Sequence, residues 1–402
     1  MSNNTDGEYK EQINKEADRE LDYADRLKQH KRRTRFFSLA IALVLIITVF
    51  VVCFVRVRST YGSYSVKNSV IRKDNGFANF VALEDGYIKF GHDGAVKYNF
   101  KGTKQWEKTY EINNPVLDKC GNYIAVADIG GTAVYLFDKS GFVSSINTAL
   151  PIIQMDVSGN GLVVTSLEDT KATYINMYNK DNEKIYSIKS VIEGDGFPVS
   201  FSVSDSGNML MVSYAAINKK EFKNSVVFYN FGEVGHNEVE RVVAGFDGYK
   251  DKVVSKVEFI SQTRAVAYGE NVISIFEIDE YPNHLKDIQV DYPIRKVFYS
   301  DKYIGYTYIN NDGEGKSVIY SADGKFLSEN SVSDKYSNIE IVKDKILMFG
   351  KSLCCITKIS GKNVFEQTFD EGIVDIMPVS GDNKFLYISG NKIQYIELKH
   401  GG

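Results

Sequence analysis

Residues 122 to 146, NYIAVADIGGTAVYLFDKSGFVSSI, alternate apolar and polar side chains, and the alternation is interrupted at two points. The first break is the pair Gly130-Gly131, and the second is Ser140-Gly141. Successive side chains of a β-strand point to opposite faces, so alternating runs predict strands and breaks that contain glycine predict tight turns. The stretch therefore predicts three antiparallel strands joined by two short turns.

The same unit recurs along the chain at a period of about 40 residues. Eight apolar runs each follow a polar turn and precede a further run, and they begin at Tyr87, Tyr123, Leu162, Leu210, Ala265, Ile304, Ile346 and Leu386. A β pattern with this period is typical of propeller blades that have four strands each. The sequence therefore predicts an all-β fold, an eight-bladed β-propeller over residues 64–398. Seven blades is the fallback, because the phase of the long fourth unit is open.

The two ends of the repeat region predict how the ring closes. The last unit, residues 372–398, stops after three strands, whereas the alternating segment YSVKNSVI, residues 64–71, precedes the first blade. We expect this segment to supply the missing outer strand, which would remove an exposed sheet edge. Two polar stretches, residues 215–225 and 232–252, lengthen the fourth unit and are predicted to be loop insertions.

Residues 36–55, FFSLAIALVLIITVFVVCFV, carry no charge. A helix of about 20 apolar residues spans the hydrocarbon core of a bilayer, so the segment predicts a transmembrane helix. A buried core helix would carry a polar face, and a cleaved signal peptide would have a shorter apolar region and a small-residue cleavage site. Arg56-Val57-Arg58 follows instead, which favours an uncleaved signal-anchor.

Basic residues flank this span unequally. Six lie before it and three after it: Arg26, Lys28, Lys31, Arg32, Arg33 and Arg35 against Arg56, Arg58 and Lys67. The more basic flank stays inside, so we predict a cytoplasmic tail over residues 1–35, a linker over residues 56–63 and an extracytoplasmic propeller. The predicted location is the cell membrane, crossed once, with residues 36–55 in contact with the lipid bilayer.

The amino-acid composition favours β-strands, and the charge of the chain argues against a nucleic acid partner. The chain has 26 Tyr and 24 Phe beside 6 Pro, a balance that favours β structure, and its net charge is −4. Phosphate binding requires a basic face, and no stripe of Lys and Arg follows residue 58, so no nucleic acid partner is expected.

Few residues have the spacing that catalytic or metal sites require. The four cysteines, Cys53, Cys120, Cys354 and Cys355, form neither a zinc pattern nor a disulfide framework. The Asp-Gly segments at residues 310–316 and 193–197 have the composition of calcium loops and equally of hairpin turns, and we favour turns. The common catalytic motifs are missing, so no catalytic, cofactor-binding or metal-binding residue and no cofactor is predicted.

The units, each with a glycine-containing turn before an apolar strand and a turn such as SADGK, residues 321–325, before the outer strand, resemble the quinoprotein-like and WD40-like β-propeller superfamily. The layout of basic tail, single span and Tyr-rich propeller looks like the uncharacterised membrane-anchored propellers of Gram-positive, clostridial bacteria. Quinone-dependent dehydrogenases of this class carry a vicinal cysteine pair. Here Cys354 and Cys355 open a predicted strand, where neighbouring side chains point to opposite faces, so we expect a structural role for them.

These observations predict a non-enzymatic scaffold that binds an envelope protein or a wall polymer. Two alternatives stay open: a transmembrane receptor whose tail couples an outer ligand to an inner partner, and a propeller enzyme such as a quinoprotein-type dehydrogenase. Residues 215–225 and 232–252 are the candidate recognition segments, because loops on a rigid scaffold often carry binding.

Overall fold

A computed structural model describes residues 33–52, 60–73, 78–218, 221–249, 252–379 and 381–400. The chain divides into two compact units, Met1–Thr60 and Tyr61–Gly402. In the first unit, helix α1 (Arg33–Val52) is long and apolar enough to cross a membrane. It coincides with residues 36–52 of the predicted span, whereas residues 53–55, tail residues 1–32 and linker residues 56–59 lie outside the described residues.

The described part of the second unit contains 32 strands in eight four-stranded antiparallel sheets, which are the blades of a propeller. Strand β1 (Tyr61–Ile71) comes first in the chain. Blade 1 consists of β2 (Asn79–Ala82), β3 (Gly86–Phe90), β4 (Gly94–Asn99) and β5 (Lys104–Thr109). Blade 2 consists of β6 (Pro115–Cys120), β7 (Tyr123–Asp128), β8 (Ala133–Asp138) and β9 (Gly141–Asn147). Blade 3 consists of β10 (Ile152–Val157), β11 (Val163–Glu168), β12 (Ala172–Tyr178) and β13 (Lys184–Val191).

The next three blades follow the same order from first to fourth strand. Blade 4 consists of β14 (Phe197–Val203), β15 (Met209–Asn218), β16 (Glu221–Asn230) and β17 (Val242–Phe246). Blade 5 consists of β18 (Val254–Phe259), β19 (Arg264–Gly269), β20 (Val272–Glu277) and β21 (Asn283–Gln289). Blade 6 consists of β22 (Lys296–Tyr299), β23 (Tyr303–Ile309), β24 (Gly315–Ser321) and β25 (Phe326–Ser331).

The last two blades complete the ring. Blade 7 consists of β26 (Asn338–Val342), β27 (Lys345–Phe349), β28 (Leu353–Lys358) and β29 (Asn363–Thr368). Blade 8 consists of β30 (Asp375–Pro378), β31 (Lys384–Ile388), β32 (Lys392–His400) and, as its fourth strand, β1. The prediction of eight blades is confirmed, and residues 122–146 are the second, third and fourth strands of blade 2.

Each blade buries both of its faces against its neighbours. In β7, Ala125 and Ala127 lie in the cluster shared with blade 3, whereas Ile124 and Val126 lie in the cluster shared with blade 1. Alternate side chains of one strand thus serve two different cores, as the strand period requires. Among the described residues there are eight such hydrophobic clusters, and each joins two consecutive blades, including blades 8 and 1.

Strand β1 closes the ring by pairing antiparallel with β32, from Tyr61 opposite His400 to Ile71 opposite Lys392. Tyr64 stacks on Phe369, with ring centroids 5.1 Å apart. The prediction that residues 64–71 supply the outer strand of the last blade is confirmed. The strand starts earlier than expected, at Tyr61, so the last three residues of the predicted linker belong to the sheet.

Strand directions define the two faces of the ring. First and third strands run one way in every blade, and second and fourth strands run the other way. As the fourth strand of blade 8, β1 begins beside the end of β32, so the chain enters at the face where third strands end. We call this the N-terminal face. The connection between β15 and β16 lies where third strands begin, which is the opposite face.

The two predicted loop insertions of blade 4 have regular structure, which corrects the sequence interpretation. Residues 215–225 extend β15 and β16 into a hairpin of ten residues per strand, apart from the connection at residues 219–220, which lies outside the described residues. Residues 232–252 contain helix α2 (Glu233–His236), a 3₁₀ turn (Val239–Arg241) and β17, the fourth strand of the blade. Both segments are polar, so their sequence resembles that of loops. In the hairpin this is because both faces of the projecting strands meet solvent.

Candidate functional site

The adjacent cysteines of β28 lie in different cores. Cys354 packs in the cluster between blades 7 and 8, and Cys355 packs in the cluster between blades 6 and 7. Both thiols are free, and burial raises the pKa of each one above its usual value. A thiolate is the reactive form of cysteine, so this environment suppresses nucleophilic and redox chemistry. The opposite orientation predicted from the strand pattern is confirmed.

The two Asp-Gly segments form turns whose polar groups bond within the turn. The Asn310 side chain accepts hydrogen bonds from the backbone N–H groups of Asp312 and Glu314, at 3.0 and 2.9 Å. In the segment at residues 193–197, Asp195 accepts a hydrogen bond from the backbone of Val191 at 2.9 Å. These contacts close the β23–β24 hairpin and the connection into blade 4, respectively.

Acidic side chains bridge the first strands at the inner edge of the ring. Asp118 of blade 2 accepts a hydrogen bond from the backbone N–H of Val157 in blade 3, at 2.8 Å. Asp156 of blade 3 accepts one from the backbone N–H of Val203 in blade 4, also at 2.8 Å. Burial, and then the charge of Asp118, raise the pKa of Asp156 well above its usual value. The Val157 N–H donates to both carboxyl groups, at 2.8 Å to Asp118 Oδ2 and 2.8 Å to Asp156 Oδ1.

The same bridging continues through blades 4, 5 and 6. Ser202 accepts a hydrogen bond from the backbone N–H of Phe259 at 3.2 Å, one blade further on. Lys256 donates to the Tyr299 hydroxyl at 3.2 Å and lies 3.5 Å from the Glu258 carboxylate. Burial raises the pKa of Glu258, although the positive charge of Lys256 opposes the shift. These polar groups therefore satisfy each other and fix the spacing of neighbouring blades.

Sequence reasoning missed this acidic set, although a signal for it exists. Asp118, Asp156, Glu258 and Glu340 each follow an apolar residue inside the first strand of a blade. A carboxylate in such a strand is unusual, because buried charges need partners. Its recurrence in blades 2, 3, 5 and 7 is present in the sequence, but the sequence does not show which neighbouring blade supplies the backbone donors.

The hairpin of β15 and β16 is the main departure of the ring from a plain propeller. The second strands of the other blades have five to seven residues, whereas β15 has ten. The first strand of the blade reaches β15 only as far as Ala215, and the fourth strand reaches β16 only from Val226 onward. In the described residues, the ends of the two strands thus pair with each other alone. We call residues 216–218 and 221–223 the ribbon.

The ribbon has an exposed apolar residue and a firmly held base. Ile217 lies opposite Phe222, and 78% of its surface is exposed. At the base, the buried Asn224 side chain donates to the Tyr214 carbonyl oxygen at 2.6 Å and accepts from the Val254 backbone of blade 5 at 2.8 Å. Because one side chain joins blades 4 and 5 directly below it, the ribbon extends from a rigid support.

The connection between β16 and β17 forms a cap on the N-terminal face of the same blade. The guanidinium of Arg241 lies 5.1 Å from the ring centre of Tyr186 in blade 3 and 5.9 Å from that of Phe231. Val239 is 83% exposed. Blade 4 therefore presents an exposed aliphatic side chain on each face of the ring, one on the ribbon and one on the cap.

Comparison with solved structures finds many propellers. BamB from Moraxella catarrhalis has a TM-score of 0.55 and 10% identity, and the match covers 84% of this chain and 100% of that one. Sqt1 from Saccharomyces cerevisiae has a TM-score of 0.54 and 10% identity, with 85% and 99% covered. At such identities the likeness shows the β-propeller fold and nothing finer.

Comparison of the sequence with family models finds one that matches residues 57–398 and is described as a family of unknown function, DUF5711. No curated protein matches the chain. The matched range covers the propeller from just before β1 to residue 398, within the last strand, β32 (Lys392–His400).

Proposed function

The chain belongs to the DUF5711 family, and from that premise we propose that it is a membrane-anchored, extracytoplasmic propeller that acts as a non-enzymatic scaffold for an envelope protein or a wall polymer. The ribbon of blade 4 is the observation that carries this proposal. It lengthens two strands beyond what the blade needs, it exposes Ile217, and it leaves backbone edges unpaired among the described residues. Such an edge is a template on which an extended partner segment can add a strand.

The placement of the ribbon supports the same reading. The chain enters the propeller at the N-terminal face, where β1 begins, and the ribbon extends from the opposite face. Within the propeller, the ribbon is thus separated from the point of entry by the full length of the strands. A partner on the ribbon face therefore leaves the start of β1 uncovered.

The inner edge of the ring gives less support to a catalytic role. Asp118 and Asp156 direct their oxygens at backbone N–H groups of the next blade, and Lys256 contacts Glu258 and Tyr299. Groups that already satisfy one another have little capacity to bind or polarise a substrate. The buried thiols of blade 7 are likewise held in two separate cores.

The anchoring part of the proposal rests on α1 and the sequence around it. The helix is long and apolar enough to span a bilayer, and basic residues are more numerous before it than after it. This layout resembles that of the membrane-anchored propellers of Gram-positive bacteria. Protease added to intact cells should cleave propeller loops and leave the N-terminal tail intact. Protection of the whole propeller would contradict the proposed topology.

Crosslinking in intact cells tests the scaffold role. In one variant, residues 216–223 are replaced by Asn-Gly, a two-residue turn that suits the facing pair Ala215 and Asn224. In the control, residues 310–314 of blade 6, on the same face, are replaced in the same way between Ile309 and Gly315. We expect the ribbon variant to lose crosslinked partners that the control retains. An unchanged set of partners would contradict the proposal.

A further inference from the structure

A cleft of about 500 Å³ opens between the outer parts of blades 4 and 5. One wall comes from β17, residues 247–249 and Lys252, and the other comes from the two outer strands of blade 5. Two carboxylates line it, Asp247 and Asp287. The other polar side chains are Lys252, Ser274, His284 and Gln289, and the aromatic ones are Phe246 and Tyr249. The volume lies within the usual range of small-molecule sites, about 300–1,000 Å³.

A fixed carboxylate lies at the centre of the cleft. The Ser274 hydroxyl, in a residue that is 2% exposed, donates a hydrogen bond to Asp287 Oδ1 at 2.7 Å. His284 Nε2 donates to the same oxygen, also at 2.7 Å. The buried Tyr249 hydroxyl contacts that of Ser274. Asp287 lies between the serine and the histidine, so His284 is not placed to take the proton of Ser274, and the set is suited to binding rather than to hydrolysis.

Other polar groups at the cleft are unengaged. Within the described ranges, Asp287 Oδ2, the Lys252 ammonium and the Gln289 amide make no hydrogen bond, and Asp287 is half exposed at the cleft. The cleft thus offers the carboxylates of Asp287 and Asp247 as acceptors, an ammonium as donor and an amide that is both. The half-buried ring of Phe246, 6.4 Å from the His284 ring, adds an apolar surface beside them.

We propose that this cleft binds a neutral saccharide unit. A sugar ring has vicinal hydroxyl groups, which donate to a carboxylate and accept from ammonium and amide groups, and it has an apolar face that packs on an aromatic ring. An isolated anion would face the carboxylates of both Asp247 and Asp287, and an isolated cation would face the Lys252 ammonium, so the mixed charge of the cleft favours a neutral ligand.

This inference deepens the proposed function, on which it rests, by naming a chemical class of ligand. The cleft consists of residues outside the ribbon, so the cleft proposal and the ribbon proposal can fail separately. If shortening the ribbon leaves the crosslinked partners unchanged but sugar binding persists, the proposal that the ribbon binds the partner fails and the cleft proposal stands. If sugar binding is absent while the ribbon retains its partner, only the cleft proposal fails.

Saturation-transfer NMR on the full-length protein in detergent micelles tests the cleft. The probes are glucose, galactose, mannose and N-acetylglucosamine, with the zwitterion alanyl-alanine as a competing class. We expect at least one sugar to bind, and Asp287→Asn to weaken it about tenfold, since a charge-assisted hydrogen bond is lost. Gln289→Ala should weaken binding by a smaller factor.

The matched control is Glu366→Gln, which neutralises an exposed carboxylate on the fourth strand of blade 7. It should leave sugar binding unchanged, and thermal unfolding should show that all variants remain folded. Absence of binding by every sugar to the folded wild-type protein would overturn the proposal. So would binding of alanyl-alanine alone, or sugar binding that neither cleft substitution weakens.

Discussion

At the scale of single residues, the propeller differs from an ordinary alternating β pattern in having buried carboxyl groups in the first strands of several blades. The sequence shows acidic residues next to apolar ones in several first strands, yet it gives no indication of which backbone donors they meet. Asp118 and Asp156 each accept a hydrogen bond from the next blade, from residues 39 and 47 positions further along the chain. The placement of the Cys354 and Cys355 side chains in two different hydrophobic clusters was predictable, because adjacent residues of a strand point to opposite faces.

Glu340 makes the stability of the fold depend on pH in a way that can be tested. Burial, and then the charge of Asp375, raise the pKa of Glu340 to about 7. Its carboxyl group holds a proton more tightly in the folded chain than in the unfolded one. The stability it contributes is therefore present below the unfolded pKa of 4.5 and is lost as pH rises through about 7.

The substitution Glu340→Gln removes this titration. Between pH 5 and pH 8, the free energy of unfolding of the wild-type protein should fall by about 2–3 kcal/mol relative to that of the variant, at 1.36 kcal/mol per pKa unit. Denaturant unfolding at the two pH values measures the difference, and Glu366→Gln serves as the exposed control. Parallel pH profiles for wild type and Glu340→Gln would show that the Glu340 site is not desolvated.

At the scale of elements, strand existence was predictable wherever apolar residues recur with period two, as in β7 and β8. The ribbon and the cap were not, because polar residues such as Asn218 and Glu221 have the composition of a loop. The hairpin is held at its base by hydrogen bonds of the Asn224 side chain with the backbone of Tyr214 and Val254. A side chain that organises a hairpin through the next blade leaves no periodic signal in the hairpin itself.

Removal of β1 tests whether this strand closes the ring of blades. A chain that begins at residue 76 lacks the strand that pairs with β32, which leaves a sheet edge exposed and uncovers part of the core between blades 7 and 8. We expect its unfolding temperature to lie well below that of a chain that begins at residue 60, as measured by calorimetry. Equal unfolding temperatures would mean that β1 does not seal the ring.

A point substitution separates closure from a general effect of shortening. Tyr64 stacks on Phe369, so Tyr64→Ala should cost about 2 kcal/mol of unfolding free energy, a value reduced from that of a fully buried aromatic residue. Val66, on the same strand, is 46% exposed, and Val66→Ala is the matched control that should cost much less.

At the scale of the whole molecule, the repeat period determined the number of blades and the position of the closing strand, because every blade must bury both faces and the ring must leave no open edge. The period says nothing about which face binds. That assignment depends on strand direction in blades 8 and 4, which places the start of β1 and the ribbon on opposite faces. The ring is therefore predictable from the repeat, and the binding face follows only from the structure.

Site-specific photocrosslinking in intact cells shows whether the ribbon face of the propeller binds a partner. A photoreactive phenylalanine derivative replaces Ile217 on the ribbon in one variant and Val239 on the cap in the other; these residues are 78% and 83% exposed on opposite faces of blade 4. We expect a covalent adduct with an envelope protein or wall polymer from position 217 and none from position 239. Adducts from position 239 alone, or equally from both positions, would contradict this expectation.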